Sequence, residues 1–471
     1  MDNDLGAAGE LFARGQEYYS GINVQKDLKK ALELWYISAS KGNPEAQLAL
    51  SQAYLAGESL RVDPEKSFGW LSLAAQGGLV EAQLTLARAY QEGQPYGERD
   101  LAKAFGWFLL VAQGGLAEAQ SQVGFMCFNG EGTPKDLAQA VHWWKLAAEQ
   151  GFAPAQNSLG NSYYYGQGVD KEMGQGIKYW RLAAGQGFAP AQCSLGHAFH
   201  FGQGVPKDQV KGANFLRLAA NQGHALAQNT LGFLHLRGDG VRLDPALGIE
   251  YLLKAADQGL AMAQGSLGYA YFHGQGAEKD VVAALKWIRL AAAQGLPLAL
   301  GLLGSAYVSG LGVDQDLEEG FRHWREAADL GDPQALSSLG SAYVSGQGVE
   351  KNLAQGLNYW RRAADLGDAD AQYLLGMYFA NKGGDQSDFD QAVRYWNMAA
   401  DKEQPYALYY LGEAYVHGKG VKRDFSKGTG FLKRAAHLGL DLAVEKLKAL
   451  NGKSPKKKPL QRAAEKVSLL D

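Results

Sequence analysis

One unit of 36 residues recurs along this chain, and a fixed period of that size constrains the fold more than any local motif. Each copy must bury its apolar side against the next. Counted on a recurring Ala, usually followed by Gln, the copies are anchored at 46, 82, 119, 155, 191, 227, 263, 299, 335, 371, 407 and 443. Every interval is 36 except one of 37, which reflects a single extra residue in the loop of residues 91–100. A degenerate first copy is in phase, with its anchor at Glu10 and with Tyr18, Gly21 and Lys26-Asp27 at the expected offsets. The 471 residues read as twelve copies, one further first-type helix at 441–450 and a short end at 451–471.

Each copy holds two helical patterns separated by a glycine turn. In the first, the anchor Ala, a Leu four residues on and an aromatic residue eight on form one stripe at helical spacing, as in Ala155, Leu159 and Tyr163. A Gly follows that Leu in ten of the twelve copies. Glycine inside a helix costs about 1 kcal/mol relative to alanine, so its recurrence predicts that another backbone passes close by. The sequence Gly-x-Gly, as in Gly166-Gln167-Gly168, then ends the helix by permitting a left-handed closing residue. The second helix begins near Lys-Asp, with Asp136, Asp208 or Asp280 placed to cap it. It carries a two-residue aromatic slot ahead of Ala-Ala, such as Tyr179-Trp180 before Ala183-Ala184, and all 10 tryptophans fall in that slot. Large rings beside Ala and Gly are what interdigitating helix layers require.

Composition closes off other classes. A chain with 61 glycines but only 13 prolines is not collagen-like, and 18 Phe, 23 Tyr and 10 Trp are too many for a disordered linker. The net charge of -3 leaves no basic stripe of the kind nucleic-acid binders carry. No apolar run reaches the roughly 18 residues of a spanning helix, and the opening Met-Asp-Asn-Asp-Leu is acidic and lacks an apolar signal region. The expectation is a cytoplasmic chain, or a periplasmic one if a leader was removed. Cys127 and Cys193, two copies apart, make no disulfide framework.

The pattern A-x-A-Q-x-x-L-G-x-x-Y-x-x-G-x-G-V-x-K-D-x-x-x-A-x-x-W-x-x-x-A-A, near-complete at Ala263–Ala292 and Ala335–Ala364, resembles the Sel-one-like repeat (SLR) family, a relative of the tetratricopeptide repeats. The resemblance covers all twelve copies. It implies an all-α fold, a right-handed α/α solenoid spanning 1–450 as one domain, with the first helices lining a concave groove and helix 441–450 as its cap. It also implies a non-enzymatic scaffold or adaptor that binds a partner protein or peptide, in bacterial signalling or complex assembly. An immunity or inhibitor protein that neutralises a toxin or enzyme is the alternative of the same fold. Members linked to penicillin binding or β-lactam hydrolysis carry paired cysteines in each repeat, which this chain lacks. The family supplies no shared catalytic residue and no cofactor.

At 100° per residue, positions 0, 4 and 8 of the first helix span about 0–80°, whereas the variable positions 2, 6, 9 and 10 fall at roughly 180–280°. Freed from the core, these slots are open to a partner. Between copies four and eight they hold Phe125, Phe128, Asn157, Asn161, Tyr164, Tyr165, Cys193, His197, His200 and Phe201, then Phe233, Leu236, Arg237, Tyr269, Phe272 and His273. Grouped aromatics with an Arg have the composition of interface hot spots. The expected partner site is therefore Phe125, Phe128, Tyr164, Tyr165, His197, His200, Phe201, Phe233, Arg237, Tyr269, Phe272 and His273. Farther on, the same slots turn small and polar, with Ser305, Val308, Ser309, Ser337, Ser341 and Ser345.

Other features compete weakly. Cys193, His197 and His200, at i, i+4 and i+7, share a side, yet aromatics fill the same slots in other copies, so no metal is expected. Cys127 takes the buried aromatic slot of its copy and reads as a core thiol. The repeated Gly-x-Gly-Val-x-Lys-Asp follows a helix and lacks the GxxxxGK[ST] of a phosphate loop. Asp329, Asp332, Asp365, Asp368 and Asp370 cluster on one edge of the late copies, which suits a basic partner but reads first as a solvated acidic edge. No carboxylate pair or Ser/Cys–His arrangement stands out from the repeat, which gives no support to acid–base catalysis. Five basic residues within 453–462 read as a solvated, disordered tail.

Overall fold

Each copy folds into two α-helices, nearly all of 13 residues. The computed structural model describes residues 2–57, 60–93, 97–382 and 386–450. The chain divides into two units, residues 1–227 and 228–471. The first unit opens with α1 (Asp2–Ser20), α2 (Leu28–Ser40), α3 (Pro44–Ala56), α4 (Pro64–Gln76), α5 (Val80–Glu92) and α6 (Leu101–Gln113). It continues through α7 (Ala117–Asn129), α8 (Leu137–Glu149), α9 (Ala153–Tyr165), α10 (Met173–Gly185), α11 (Ala189–Phe201) and α12 (Gln209–Asn221). The divide falls within α13 (Ala225–Arg237), which is followed by α14 (Pro245–Asp257), α15 (Ala261–His273), α16 (Val281–Ala293), α17 (Pro297–Ser309) and α18 (Leu317–Asp329). The second unit ends with α19 (Pro333–Ser345), α20 (Leu353–Asp365), α21 (Ala369–Asn381), α22 (Gln386–Ala400), α23 (Pro405–His417), α24 (Phe425–His437) and α25 (Asp441–Leu450). From α1 to α11 and again from α15 to α23, each odd-numbered helix packs most extensively on the even-numbered helix that follows it, and less on any that precedes it, while α25 packs on α24. Within each unit the hairpins stack in chain order as an α/α solenoid.

Helix ends follow the turn chemistry. Gly166 and Gly168 take φ of 75° and 76°, and the Gly166 N–H bonds back to the Ser162 carbonyl at 2.9 Å. Glu172 N–H then bonds to the Tyr163 carbonyl at 2.8 Å, closing the turn. Asp136, Asp208 and Asp280 each accept an amide N–H three residues on, at 2.9 Å.

The core is a periodic mix of Leu, Ala and one ring per hairpin. Anchor Ala155 and Leu159 are fully buried, and in the aromatic slot it is the second residue that goes in, Trp180 at 2% exposure. The first slot residue stays half-buried and stacks on the aromatic of the preceding helix, as Tyr163 does on Tyr179 with centroids 5.8 Å apart. The mid-helix glycines sit where expected of a close approach. A Cβ on Gly160 would lie 2.5 Å from Trp180 Cδ1 and 3.1 Å from the Gly176 carbonyl oxygen.

A polar ladder ties successive hairpins together. The Gln after the anchor is buried and reaches both ways. Gln156 donates to the Ala148 carbonyl of the preceding hairpin at 3.3 Å and accepts from Gln186 of its own at 2.8 Å. The same side-chain pair recurs as Gln150–Gln120, Gln222–Gln192, Gln258–Gln228 and Gln294–Gln264, at 2.7–2.9 Å. Buried amides satisfied on both ends fix the register of the stack where apolar contacts alone would let it slide.

Candidate functional site

The variable positions of the first helices divide into two groups. Positions 6 and 10 reach the surface: Phe125 is 46% exposed, Tyr165 61%, Phe201 59% and Phe233 36%. Arg237 and His273 are exposed as well, while His197 and Tyr269 are half-buried. Phe201 stands edge-on to His200 with centroids 4.7 Å apart, and Tyr269 lies 4.2 Å from His273. Phe125, Tyr165, His197 and Phe201 belong to the first unit; Phe233, Arg237, Tyr269 and His273 belong to the second.

Position 9 corrects the sequence reading. Tyr164 is 6% exposed and His200 5%, and Phe128 and Phe272 are half-buried. Tyr164 packs on Trp180 with centroids 4.6 Å apart and donates its hydroxyl to Gln203 at 3.0 Å, and Phe128 leans on Trp144 at 5.5 Å. The packed arc of a first helix is wider than 0–80°, because positions 5 and 9, near 140° and 180°, face the second helix of the same hairpin. A glycine in that second helix makes room for position 9: Gly176 lies under Tyr164 and Gly212 under His200. Position 2 is also enclosed, with Cys193 and Asn229 each 3% exposed. Of the sequence-predicted slots, only 6 and 10 offer side chains outward.

Cys193, His197 and His200 therefore do not share a solvent-facing side. Burial pushes the Cys193 thiol up to about 12 and holds the His197 imidazole below its usual value, with His200 and His224 adding to the latter. Among the described residues no three or more His, Cys, Asp or Glu side chains are grouped to hold a metal ion. Both cysteines are free and buried, and burial likewise raises the Cys127 thiol. Thiolate is the reactive form, so iodoacetamide at pH 8 is expected to label Cys193 at least about 100-fold more slowly in the folded chain than in urea. Because its folded pKa of about 12 lies above the ordinary 9.0, the thiol's contribution to stability is complete below pH 9 and fades as pH rises toward 12. Equal labelling rates would show that the site opens readily.

The concave feature lies where the sequence turned small. In the second unit a cavity of about 470 Å³ opens between the first helices α19, α21 and α23. The serines at positions 2, 6 and 10 of α19 (Ser337, Ser341 and Ser345) leave the space that aromatics fill elsewhere. Trp360 forms part of the floor, its indole N–H held at 3.2 Å by the Ser337 carbonyl and by the Ser341 hydroxyl. On the far wall Tyr373 stacks against Tyr406 and Tyr410, at 5.6 and 6.1 Å. Burial holds the phenols of Tyr373 and Tyr410 above their usual range, so both rings stay neutral.

Asp368 of the presumed solvated edge belongs to this cavity instead, and Asp370 lines it while remaining exposed. Asp368 is half-buried, caps α21 by accepting the Ala371 N–H at 2.6 Å, and lines the space with Asp370. Burial raises the Asp368 carboxyl, against the pull of the Ala371 N–H and the Ser337 hydroxyl, while the Asp370 charge raises it further. Asp332 is 9% exposed and caps α19 in the same way, whereas Asp329 and Asp365 are exposed. The readable signal was the coincidence of a serine run in the variable slots with aspartate at two successive helix starts. The basic residues of 453–462 lie outside the described residues. None of the described helices is long and apolar enough to cross a membrane.

Comparison with known proteins agrees with the repeat geometry. The Sel1 repeat matches twelve consecutive stretches, from residues 11–43 to 405–440. A protective antigen of uropathogenic Escherichia coli with an SLR fold is similar over 93% of each chain, at 30% identity and a TM-score of 0.65. A Sel1 repeat protein from Oxalobacter formigenes is 33% identical, covering 64% of this chain and 86% of its own, with a TM-score of 0.54. An immunity protein from Pseudomonas aeruginosa is 22% identical over 45% of this chain and 81% of its own, with a TM-score of 0.37. No curated protein matches. Twelve matched repeats and a 30% identical solved structure spanning 93% of the chain make it a member of the Sel1 repeat family.

Proposed function

We propose that this chain is a non-enzymatic scaffold that holds a partner protein or peptide along the groove face of its first helices. The observation that carries the reading is the outward projection of large apolar side chains from successive first helices of one unit: Phe125, Tyr165 and Phe201, each close to half exposed or more. Water contact with such rings is unfavourable, and a rigid framework loses little entropy when a partner covers them. His197, half-buried 6.3 Å from Phe201, adds a polar group to the same strip. Arg237 and Phe233 extend the composition in the second unit.

The test is an affinity pull-down from the native host, with partners identified by mass spectrometry. Changing Phe125, Tyr165 and Phe201 together to Ser leaves the buried layers untouched, so helicity is expected to persist while the partner's recovery falls at least about tenfold. Unchanged recovery at unchanged helicity would remove these residues from the site. Recovery of an enzyme whose turnover stops on binding would turn the scaffold into an inhibitor or immunity protein.

A further inference from the structure

We propose that the cavity of the second unit is a binding site for a cationic side chain, an arginine or lysine presented by a partner peptide. This rests on the reading of the chain as a peptide-holding scaffold but places a different contact, in a different unit, on residues outside the aromatic strip.

Size comes first. About 470 Å³ falls within the roughly 300–1,000 Å³ of pockets that enclose a small ligand. That space takes one long side chain with part of its backbone. Charge comes second. Among the described residues the lining includes Asp368 and Asp370 and no Lys, Arg or His. Asp370 accepts the neutral Gln404 amide, at 3.2 Å. Lys402, whose ammonium turns to the Gly367 carbonyl, acts on Asp368 through space. A half-buried carboxylate whose desolvation is offset by one N–H and one hydroxyl gains when a cation enters.

Ring chemistry comes third. Tyr373, Tyr406 and Tyr410 present aromatic surface beside those carboxylates, and a cation is the one class of group attracted to both. An anionic ligand would meet two like charges, and a neutral one would leave the half-buried Asp368 carboxylate uncompensated. Guanidinium is flat, weakly hydrated and able to stack and donate at once, so arginine should bind better than lysine. Ser337, Ser341 and Ser345 line the space with small side chains.

The experiment measures binding of the full chain to arrayed nonapeptides with randomised flanks and a fixed central Arg, Lys, citrulline or Glu. Arg is expected to retain the most protein and Lys less, with citrulline and Glu at least about tenfold below Arg. The double change Asp368→Asn with Asp370→Asn keeps the helix cap and the Gln404 acceptor while removing both charges. It should lower Arg-peptide retention about tenfold or more, with circular dichroism unchanged. A second variant, Tyr406→Ala, removes a partly exposed ring without touching the caps and should lower Arg retention in the same direction. Equal retention of citrulline and Arg, undiminished binding by the Asn variant, or no retention of Arg above Glu would each overturn the proposal. Displacement by arginine amide or spermidine at the same concentration as the peptide would assign the cavity to small free cations instead. Displacement by a synthetic peptide of residues 451–471 at lower concentration would assign it to this chain's own segment. Both outcomes overturn the partner assignment. Arg selectivity that survives the Phe125, Tyr165 and Phe201 changes keeps this site even if the strip fails its own test.

Discussion

Replacing Gly212 by alanine is expected to destabilise the α11–α12 hairpin by about 3 kcal/mol. Helix propensity alone points the other way, favouring alanine by about 1 kcal/mol. Sterics decide the sign. A Cβ at Gly212 would lie 2.7 Å from the Gly196 carbonyl oxygen and 2.8 Å from the His200 backbone nitrogen. No rotamer change moves a backbone atom, so the two helices must part and their other contacts loosen with them. Hydrogen exchange of the α11 and α12 amides should show the loss as roughly a 100-fold drop in protection. Gly106 is the control, because a Cβ there meets nothing within 4 Å. Gly106→Ala should gain up to about 1 kcal/mol. Equal responses of the two variants would mean that close approach is not what keeps Gly212.

The change Trp180→Ala should cost about 4 kcal/mol, the scale of emptying a fully enclosed ring site. Trp180 is 2% exposed, stacks on Tyr164 at 4.6 Å and donates its indole N–H to Asn161 at 2.9 Å. Gly160 lies against its ring and has no side chain to extend into the void. Trp143 gives the contrast, being the half-buried residue of the same two-residue slot in the preceding hairpin. Trp143→Ala should cost less than half as much, since less of its surface leaves water on folding. Urea unfolding followed by circular dichroism orders the two, and similar midpoints would contradict the division of labour within the slot.

The periodic part of this structure was open to reading because it depends on contacts inside one copy. The stripe of Ala155, Leu159 and Tyr163, the glycine turn and the aspartate cap all lie within 36 residues, and the copies average out exceptions. The close approach at Gly160 was inferable for the same reason, since a costly residue retained ten times must answer a geometric demand. Position 9 was misjudged because a single helix was projected as a wheel, while Tyr164 and His200 are covered by the helix that follows. The wheel carries no information about how close that helix comes. Its glycines, Gly176 and Gly212, set the distance. The cavity was harder still. It arises from what three different copies lack or hold: serines on α19, aspartates opening α21 and tyrosines on α23. Each set looks unremarkable within its own copy, and only the stacking brings them around one space.

The glutamine ladder has a counterpart in hydrocarbon. Where the residue after the anchor is Leu300, Leu336 or Leu408, the residue thirty positions later is Leu330, Leu366 or Leu438, in place of the Gln–Gln pair. The two sites change chemistry together. Mixed pairs show the cost: Gln47 faces a copy with Gly77 at the second site and Gln372 one with Lys402, and the side-chain oxygens of both Gln47 and Gln372 are buried without a hydrogen-bond acceptor role. Eight of the twelve copies thus carry a matched pair, five Gln–Gln and three Leu–Leu. Duplication or exchange of a whole copy preserves the pairing. A crossover in the middle of a copy that joins a Gln first half to a Leu second half takes the donor from a buried amide oxygen, so recombination should favour intact copies among its surviving products.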